Sequence, residues 1–457
     1  MKKKLFVAIT LVLILILVLA MPVLAGPSGA WNTDFTLFNL SSSSADITIT
    51  RFGKCVPVCG TDAGTVVVST SIAGSGSYYY NPVSDSSFPA GFAGSITISS
   101  TQPLAGTVTL ANNLTGASYA SDAYSAVSTA ATTTYLPIVL RMGVWSSRIT
   151  VQNTAATNAN VTINFVGSGA PAPTTISNLP PNMMAMVDLS DMGSLNFNGS
   201  ATVTSTNPVA VVVEEYKTSG GIFVTYNGIP SIVASDTVYL PGYIDKGYWD
   251  TDMTIVSTGG SGTATVSFAG NGASLSGPVS PSNSPYLNRN GSLPSGWSGT
   301  FPTSYYGAAT VTSTTPVVVA YNIANTGTGG PSNLGMGYVG FSDTQGAKTV
   351  VVPLIENAYH GVWNTTFSVQ SLDGTPATLS MTYSGNLSPI CNPCIVTMST
   401  ASQTFNQLFD GHVPAGFIGG VKIISDRNIV VIGDQAGTAP SIAAGDTAAG
   451  FPGFALP

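Results

Sequence analysis

The sequence predicts an all-β protein in which four tandem β-sandwich modules follow a secretory signal peptide. Three observations predict it: an apolar run behind three N-terminal lysines, a tryptophan-led strand pattern that recurs four times, and a composition in which charged residues make up only 7% of the chain. Ser, Thr, Asn and Gly are expected to keep the surface soluble instead, as Thr-rich strands do. The expected segments are the signal peptide at 1–25 and modules at 26–134, 135–238, 239–349 and 350–457.

The N-terminal segment has the three parts of a secretory signal. Residues 2–4 are lysines, residues 5–20 form the apolar part, and residues 23–25 supply the small side chains of a cleavage site. We therefore expect cleavage after Ala25 and an exported protein at the extracellular cell surface. The alternative is an uncleaved anchor, because residues 5–24 are long enough to span a bilayer.

Four of the five tryptophans open the same strand pattern, at intervals of 114, 104 and 114 residues. Apolar residues stand four and six positions after each tryptophan with Thr or Ser between them, which is the alternation of a half-buried strand. Each tryptophan is expected to lie in a separate two-sheet core of its own module. These core tryptophans are Trp31, Trp145, Trp249 and Trp363.

A second block recurs later in each unit and predicts a strand, a polar turn and another apolar strand. In three units a proline follows the turn, where it can begin a strand without losing a ladder hydrogen bond. An apolar-Pro segment precedes three of the tryptophan patterns and is expected to start its unit as an extended strand. The total of about seven short strands per hundred residues is typical of a sandwich. The turn blocks lie at 94–103, 200–208, 308–316 and 420–428, and the apolar-Pro segments at 135–137, 239–241 and 351–353.

The combined pattern resembles repeats in secreted surface proteins of filamentous bacteria of the Chloroflexi type. The matching elements are the early Leu-Pro, the Trp-x-Thr strand, Pro-Ala-Gly-Phe-x-Gly at 89–94 and 414–419, and the Ser-Thr-x-Pro-Val-Val-Val type of turn. The resemblance implies an exported array of immunoglobulin-like β-sandwiches with no established activity. It transfers no functional residue.

The composition argues against nucleic-acid binding and against catalysis. The net charge is −7, so the basic surface that nucleic acids require is missing. The two histidines, His360 and His412, have no Gly-x-Ser-x-Gly nucleophile near them. Glu214 and Glu215 are adjacent on a predicted strand, so their carboxylates should point to opposite faces and make a poor glycosidase pair. We therefore expect that the protein is not an enzyme.

The four cysteines form two local pairs, Cys55 with Cys59 and Cys391 with Cys394. Export to an oxidising compartment favours two short-range disulfides. Zinc binding and redox catalysis are weaker alternatives, because the pairs lie in different modules and no βαβ pattern surrounds them. Each disulfide is expected to pin a hairpin tip.

No cofactor is expected, apart from a possible structural calcium ion at a turn in the third module. Asp245, Asp250 and Asp252 place three carboxylates around this turn. Hard oxygen ligands are what Ca²⁺ takes in extracellular modules. The pattern does not recur in the other modules, which weighs against a site built into the repeat.

Aromatic residues in Gly/Ser-rich stretches are the candidate binding residues. Exposed rings stack on sugars or anchor protein partners. The alternative is that these rings are core residues of alternating strands. The candidates are Tyr79, Trp297, Tyr305 and Tyr306.

The function that the sequence favours is a structural or adhesive protein of the cell surface, with rigid modules and binding through loops. Expected partners are cell-envelope or extracellular matrix components, glycans, or other copies of the chain. Membrane contact is expected only through an uncleaved signal segment. An array of carbohydrate-binding modules is the alternative, and a secreted hydrolase is a third reading that lacks an acid, a base and a nucleophile.

Overall fold

The regular structure of the chain is almost entirely β-strand. The computed structural model describes the backbone of residues 15–19 and, with side chains, residues 30–55, 64–115, 118–193, 195–218, 221–325, 334–437 and 446–456. Short 3-10 helices are the only helices in these ranges. No helix in the described ranges is long and apolar enough to cross a membrane. The predicted all-β class is confirmed.

We divide the strands into repeats 1 to 4, which follow the four predicted modules except that the leading strands of repeats 2, 3 and 4 begin three or four residues before the predicted boundaries. Repeat 1 is preceded by β1 (Leu15–Leu19) and contains β2 (Trp31–Asn39), β3 (Ala45–Gly53), β4 (Thr65–Ile72), β5 (Ser77–Tyr80), β6 (Gly94–Ser100), β7 (Leu104–Asn112) and β8 (Ser121–Ser125). Repeat 2 contains β9 (Ala131–Met142), β10 (Trp145–Asn153), β11 (Ala159–Val166), β12 (Thr174–Leu179), β13 (Met184–Asp188), β14 (Phe197–Lys217), β15 (Phe223–Asn227) and β16 (Ile229–Pro230).

Repeat 3 contains β17 (Ser235–Asp245), β18 (Trp249–Ser257), β19 (Gly262–Phe268), β20 (Ser274–Val279), β21 (Tyr286–Asn288), β22 (Ser298–Gly299), β23 (Tyr305–Asn325), β24 (Leu334–Val339) and β25 (Phe341–Ser342). Repeat 4 contains β26 (Ala347–Asn357), β27 (Trp363–Ser371), β28 (Thr378–Gly385), β29 (Cys394–Thr397), β30 (Ser402–Asn406), β31 (Phe417–Gly437), β32 (Ala448–Pro452) and β33 (Phe454–Leu456).

One long strand links two layers in each of repeats 2, 3 and 4. The first half of β14 pairs with β9 and β11, and its second half pairs with β10 and β15. The first half of β23 pairs with β17 and β19, and its second half pairs with β18 and β24. The first half of β31 pairs with β26 and β28, and its second half pairs with β27 and β32. In repeat 1 the corresponding strands β6 and β7 are separate and belong to two four-stranded sheets. This arrangement of paired sheets is of the β-sandwich class.

The predicted polar turn is therefore absent from the three long strands. Pro208 lies within β14 and Pro316 within β23, and the chain stays extended through both. Proline fixes φ near −65° and pushes the preceding residue into the extended region, which is compatible with a continuous strand. The Ser/Thr-x-Pro motif marks the point where the strand changes partners, and only β6 and β7 are separated there.

Strand β1 occupies the place of a leading strand in repeat 1. It pairs antiparallel with β6, with Leu15 opposite Ser100 and Leu19 opposite Ile96. In the other repeats the leading strands β9, β17 and β26 pair with the first half of the long strand. A piece of the predicted signal peptide thus extends a sheet, and the remaining residues of 1–25 lie outside the described ranges.

The hydrophobic cores of the repeats share residues across repeat boundaries. Phe52 of repeat 1 belongs to the core of repeat 2, and Phe223 of repeat 2 belongs to the core of repeat 1. Ile432 of repeat 4 packs in the core of repeat 3, and Ala123 of repeat 1 packs in that of repeat 4. The expectation of separate cores is wrong, because each core is completed by side chains of another repeat.

The repeats close on one another around four strands, one from each repeat. Strand β8 contacts β15, β15 contacts β24, β24 contacts β32, and β32 returns to contact β8. The first and last repeats are therefore neighbours, although they are at opposite ends of the chain. This circuit of β8, β15, β24 and β32 is called the central junction below.

Candidate functional sites

Two buried carboxylates hold the central junction together. Asp122 of repeat 1 accepts hydrogen bonds from the backbone N–H groups of Thr225 in repeat 2, Gly450 in repeat 4 at 2.8 Å, and its neighbour Ala123 at 2.8 Å. The hydroxyl of Thr225 donates to it as well, at 3.1 Å. Burial raises the pKa of Asp122 well above its usual value, while the backbone donors from Gly450, Ala123 and Thr225 pull the pKa down.

Asp446 of repeat 4 makes the complementary set of contacts. Its carboxylate accepts from the backbone N–H of Phe223 in repeat 2 at 2.9 Å and of Gly335 in repeat 3 at 3.0 Å. Its carbonyl accepts from the Ser121 hydroxyl in repeat 1 at 3.1 Å. Buried donors need acceptors, so these two side chains fix all four repeats to one another.

A short motif marks the central junction in every repeat, and the sequence analysis missed it. An aromatic residue is followed two positions later by Gly or Ala, whose N–H donates to the long strand or its equivalent at 2.7–2.9 Å. A Cβ built on Gly340 would lie 2.3 Å from the Val238 side chain on the leading strand, which explains the small residue. The four copies begin at Tyr124, Tyr226, Tyr338 and Phe451.

A cavity of about 380 Å³ lies between repeats 2 and 3. Its lining includes Glu215 of repeat 2 and Asp252, Asn322 and Tyr286 of repeat 3. The Asn322 amide donates to Glu215 Oε2 at 3.1 Å, and the Tyr286 hydroxyl donates to Asp252 Oδ2 at 2.9 Å. Burial and the nearby Asp252 charge raise the pKa of Glu215, and burial raises the pKa of Asp252 to about 7.

Glu214 points away from this cavity, as strand alternation requires. It pairs with Arg148 at 3.2 Å, and Arg148 also pairs with Asp188 at 2.8 Å. Tyr216 donates to Asp188 at 2.6 Å and completes a polar cluster within repeat 2. The two adjacent glutamates therefore lie in different environments and do not face each other across a shared site.

The predicted calcium turn does not bring its three carboxylates together. Arg289 forms ion pairs with both Asp245 and Asp250, the second at 3.1 Å. Asp252 instead bonds to Tyr286 in the inter-repeat cavity. The predicted set is thus wrong as a metal site, because a guanidinium already neutralises two of its members.

Two of the four candidate aromatic residues are core residues. Trp297 is 7% exposed and donates to the Pro278 carbonyl at 3.1 Å, and Tyr305 is 9% exposed and donates to the Ala308 carbonyl at 2.7 Å. Tyr79 and Tyr306 are 51% and 44% exposed. Buried rings cannot stack on a ligand, so only Tyr79 and Tyr306 remain as candidates.

The tryptophans of the repeat pattern differ in burial. Trp31 is 6% exposed and packs on Phe223 of repeat 2 with ring centroids 4.3 Å apart. Trp145, Trp249 and Trp363 are only partly buried. Each of these three begins its strand beside a turn, and its indole stays partly exposed there.

The cysteine pair of repeat 4 forms the predicted disulfide between Cys391 and Cys394. Cys55 is buried and disulfide-bonded, and Cys59 lies outside the described residues. His412 lies close to Cys391 and Cys394 in an arrangement that would suit a metal. The oxidised sulfurs offer no thiolate there, and His412 bonds to the Tyr383 hydroxyl at 3.1 Å.

Comparisons with known proteins give no relative that carries an argument. The chain matches no protein-family model, and no curated protein matches it. Among solved structures, Escherichia coli alpha-2-macroglobulin activated by porcine elastase aligns over 96% of this chain at 10% identity, with a TM-score of 0.11. The chain spans 44% of the length of that structure.

Proposed function

We propose that this protein is a structural or adhesive component of the bacterial cell surface, built from four immunoglobulin-like β-sandwich repeats and exported by its N-terminal segment. The observation that carries the proposal is the central junction, where Asp122 and Asp446 accept backbone hydrogen bonds from other repeats. Such contacts make a rigid body and leave its loops available for partners.

The chemistry of the described residues supports a non-catalytic role. Several buried acidic groups bond across the seams between repeats, as Asp122 and Asp446 do, and Glu214 pairs with Arg148. His412 bonds to a tyrosine hydroxyl in place of a nucleophile. The carbohydrate-binding alternative loses Trp297 and Tyr305 as exposed rings, so we favour the structural role.

Cell fractionation combined with mass spectrometry of the N-terminus tests the proposal. We expect the protein in the surface fraction, accessible to protease on intact cells, with a chain that begins at Gly26. As a control, Leu13→Arg and Leu15→Arg together should retain the protein inside, because charges interrupt the apolar run. A wild-type chain that stays in the cytoplasm with residues 1–25 attached would refute the proposal.

A further inference from the structure

Three buried oxygen atoms line the cavity between repeats 2 and 3 without a hydrogen-bond partner among the described residues. They are Glu215 Oε1, Asp252 Oδ1 and Asn322 Oδ1. Glu215 is 1% exposed and Asn322 is 9% exposed, so solvent does not replace the missing partners freely. An unpaired buried acceptor costs about 1–3 kcal/mol, and more when it is charged.

The other polar atoms of the same side chains are already fixed. Asn322 donates its amide N–H to Glu215 Oε2 at 3.1 Å, and Tyr286 donates to Asp252 Oδ2 at 2.9 Å. The Asn322 amide therefore has its donor side turned to Glu215 and its oxygen left over. Once the two carboxylates are ionised, each of the three remaining oxygens can accept a hydrogen bond but cannot donate one.

We propose that Glu215, Asp252 and Asn322 form a binding site for a divalent cation of the Ca²⁺ type at the seam between repeats 2 and 3. Ca²⁺ takes six to eight hard oxygen ligands, mixing carboxylates, amide carbonyls and waters. The cavity of about 380 Å³ leaves room for the waters that complete the shell. Two carboxylates match the charge of one divalent ion.

Among the residues that the structure describes, no lysine or arginine forms an ion pair with these two carboxylates. Lys217 lines the same cavity, but its Nζ lies over the Trp145 ring, 5.2 Å from the centroid. Within the described residues Lys217 forms no ion pair with Glu215 or Asp252. This differs from the neighbouring acidic turn, where Arg289 pairs with Asp245 and Asp250.

Cation binding at this site should depend on pH. A bound cation favours the ionised carboxylates of Glu215 and Asp252, so binding should release protons and weaken as the pH falls. The ion would then join a carboxylate of repeat 2 to two side chains of repeat 3.

The site is specific to this seam. The residue equivalent to Glu215 on the long strand is Ile323 in repeat 3 and Gln435 in repeat 4, as the pairing with the tryptophan strands shows. In repeat 1 the same position is Leu110. One cation per chain is therefore expected from this geometry.

Terbium luminescence on the full chain tests the proposal. Tb³⁺ replaces Ca²⁺ at oxygen sites and is excited by nearby indole and phenol rings, which Trp145 and Tyr286 provide in this cavity. We expect a Tb³⁺ signal that Ca²⁺ displaces with a Kd of about 10⁻⁴–10⁻³ M, the range of extracellular modules. Glu215→Gln and Asp252→Asn should each weaken binding at least tenfold.

The matched control is Glu356→Gln, which changes a buried glutamate of repeat 4 that already accepts a hydrogen bond from Gln435. It should leave the Tb³⁺ titration unchanged. Folding of every variant is checked by its Tm in chelator, where Glu215→Gln should equal or exceed the wild type because it removes a buried charge. In 10 mM Ca²⁺ the wild-type Tm should rise by about 1.5–3 °C and that of Glu215→Gln should not.

A second measurement uses the wild type alone, so it does not depend on whether the variants fold. Calcium binding to the wild type, followed by calorimetry, should be at least fivefold tighter at pH 8 than at pH 5.5. No binding of Ca²⁺ or Tb³⁺ by the wild type, or equal binding by Glu215→Gln and Asp252→Asn, overturns the proposal. A Glu215-dependent rise in Tm with hexoses or spermidine, but not with Ca²⁺, would also overturn it and assign the cavity to that ligand.

Discussion

Removing the Asp122 carboxylate should strongly loosen the central junction. Asp122→Ala leaves the N–H groups of Thr225, Gly450 and Ala123 buried without their acceptor. Each unpaired buried donor costs about 1–3 kcal/mol, so the variant should lose roughly 3–6 kcal/mol of unfolding free energy after partial relaxation. That is a large share of the 5–15 kcal/mol that is typical of a folded domain.

Denaturant titration followed by tryptophan fluorescence measures this loss. Hydrogen exchange adds a local readout, since the amides of Thr225 and Gly450 should lose protection while strands far from the junction keep theirs. Asp46→Ala, which truncates an exposed aspartate in repeat 1, is the control and should change stability by less than about 0.5 kcal/mol. A loss below about 1 kcal/mol for Asp122→Ala, with unchanged exchange at the two amides, would refute the reasoning.

Three further predictions follow from the same structure. Gly340→Ala should cost about 1–3 kcal/mol in thermal unfolding, because its Cβ would lie 2.3 Å from the Val238 side chain, whereas Gly291→Ala meets only ordinary contacts and should be neutral. Burial raises the pKa of Glu356 from 4.5 to about 7. Its contribution to the unfolding free energy is therefore complete below pH 4.5 and is lost as the pH rises to 7. Glu356→Gln should remove roughly 2–3 kcal/mol of this pH dependence, and parallel stability profiles of the variant and the wild type would contradict this. A chain that begins at Gly26 lacks β1, so the β6 amides should exchange faster than in the full-length chain, and equal rates would mean that β1 does not pair there.

The local pattern of the fold could be predicted from the sequence, because it depends on neighbouring residues. The alternation after Trp249 predicts β18, and the spacing of Cys391 and Cys394 predicts their disulfide. The turn at Pro208 was predicted wrongly, since the same motif suits a turn or an extended switch between two sheets. Only pairing partners far along the chain decide between them.

The central junction could not be predicted from single modules. Asp122 and Asp446 look like ordinary loop carboxylates in the sequence, and their partners in other repeats lie up to 328 residues away. The signal that could have revealed the junction is the recurring aromatic-x-Gly motif, such as Tyr338 followed by Gly340. The small residue of this motif indicates that two strands approach each other closely. Aligning the repeats on their tryptophans does not reveal it.

The sequence predicted only part of the candidate cation site. Asp252 stood out in an acidic turn, but Glu215 and Asn322 come from strands that meet it only through the packing of repeat 2 against repeat 3. Arg289 lies 37 residues beyond Asp252 and neutralises the other two carboxylates. Proximity in the sequence therefore grouped Asp252 with Asp245 and Asp250, whereas the fold places it in one cavity with Glu215 and Asn322.

Small-angle X-ray scattering of the purified chain tests the closure of the repeats most directly. A body in which repeat 1 contacts repeat 4 through β8 and β32 should have a radius of gyration of about 22 Å, the value for a compact chain of this length. A radius of twice that value or more, with the scattering profile of a rod, would show that the repeats follow one another in a row and would contradict the account.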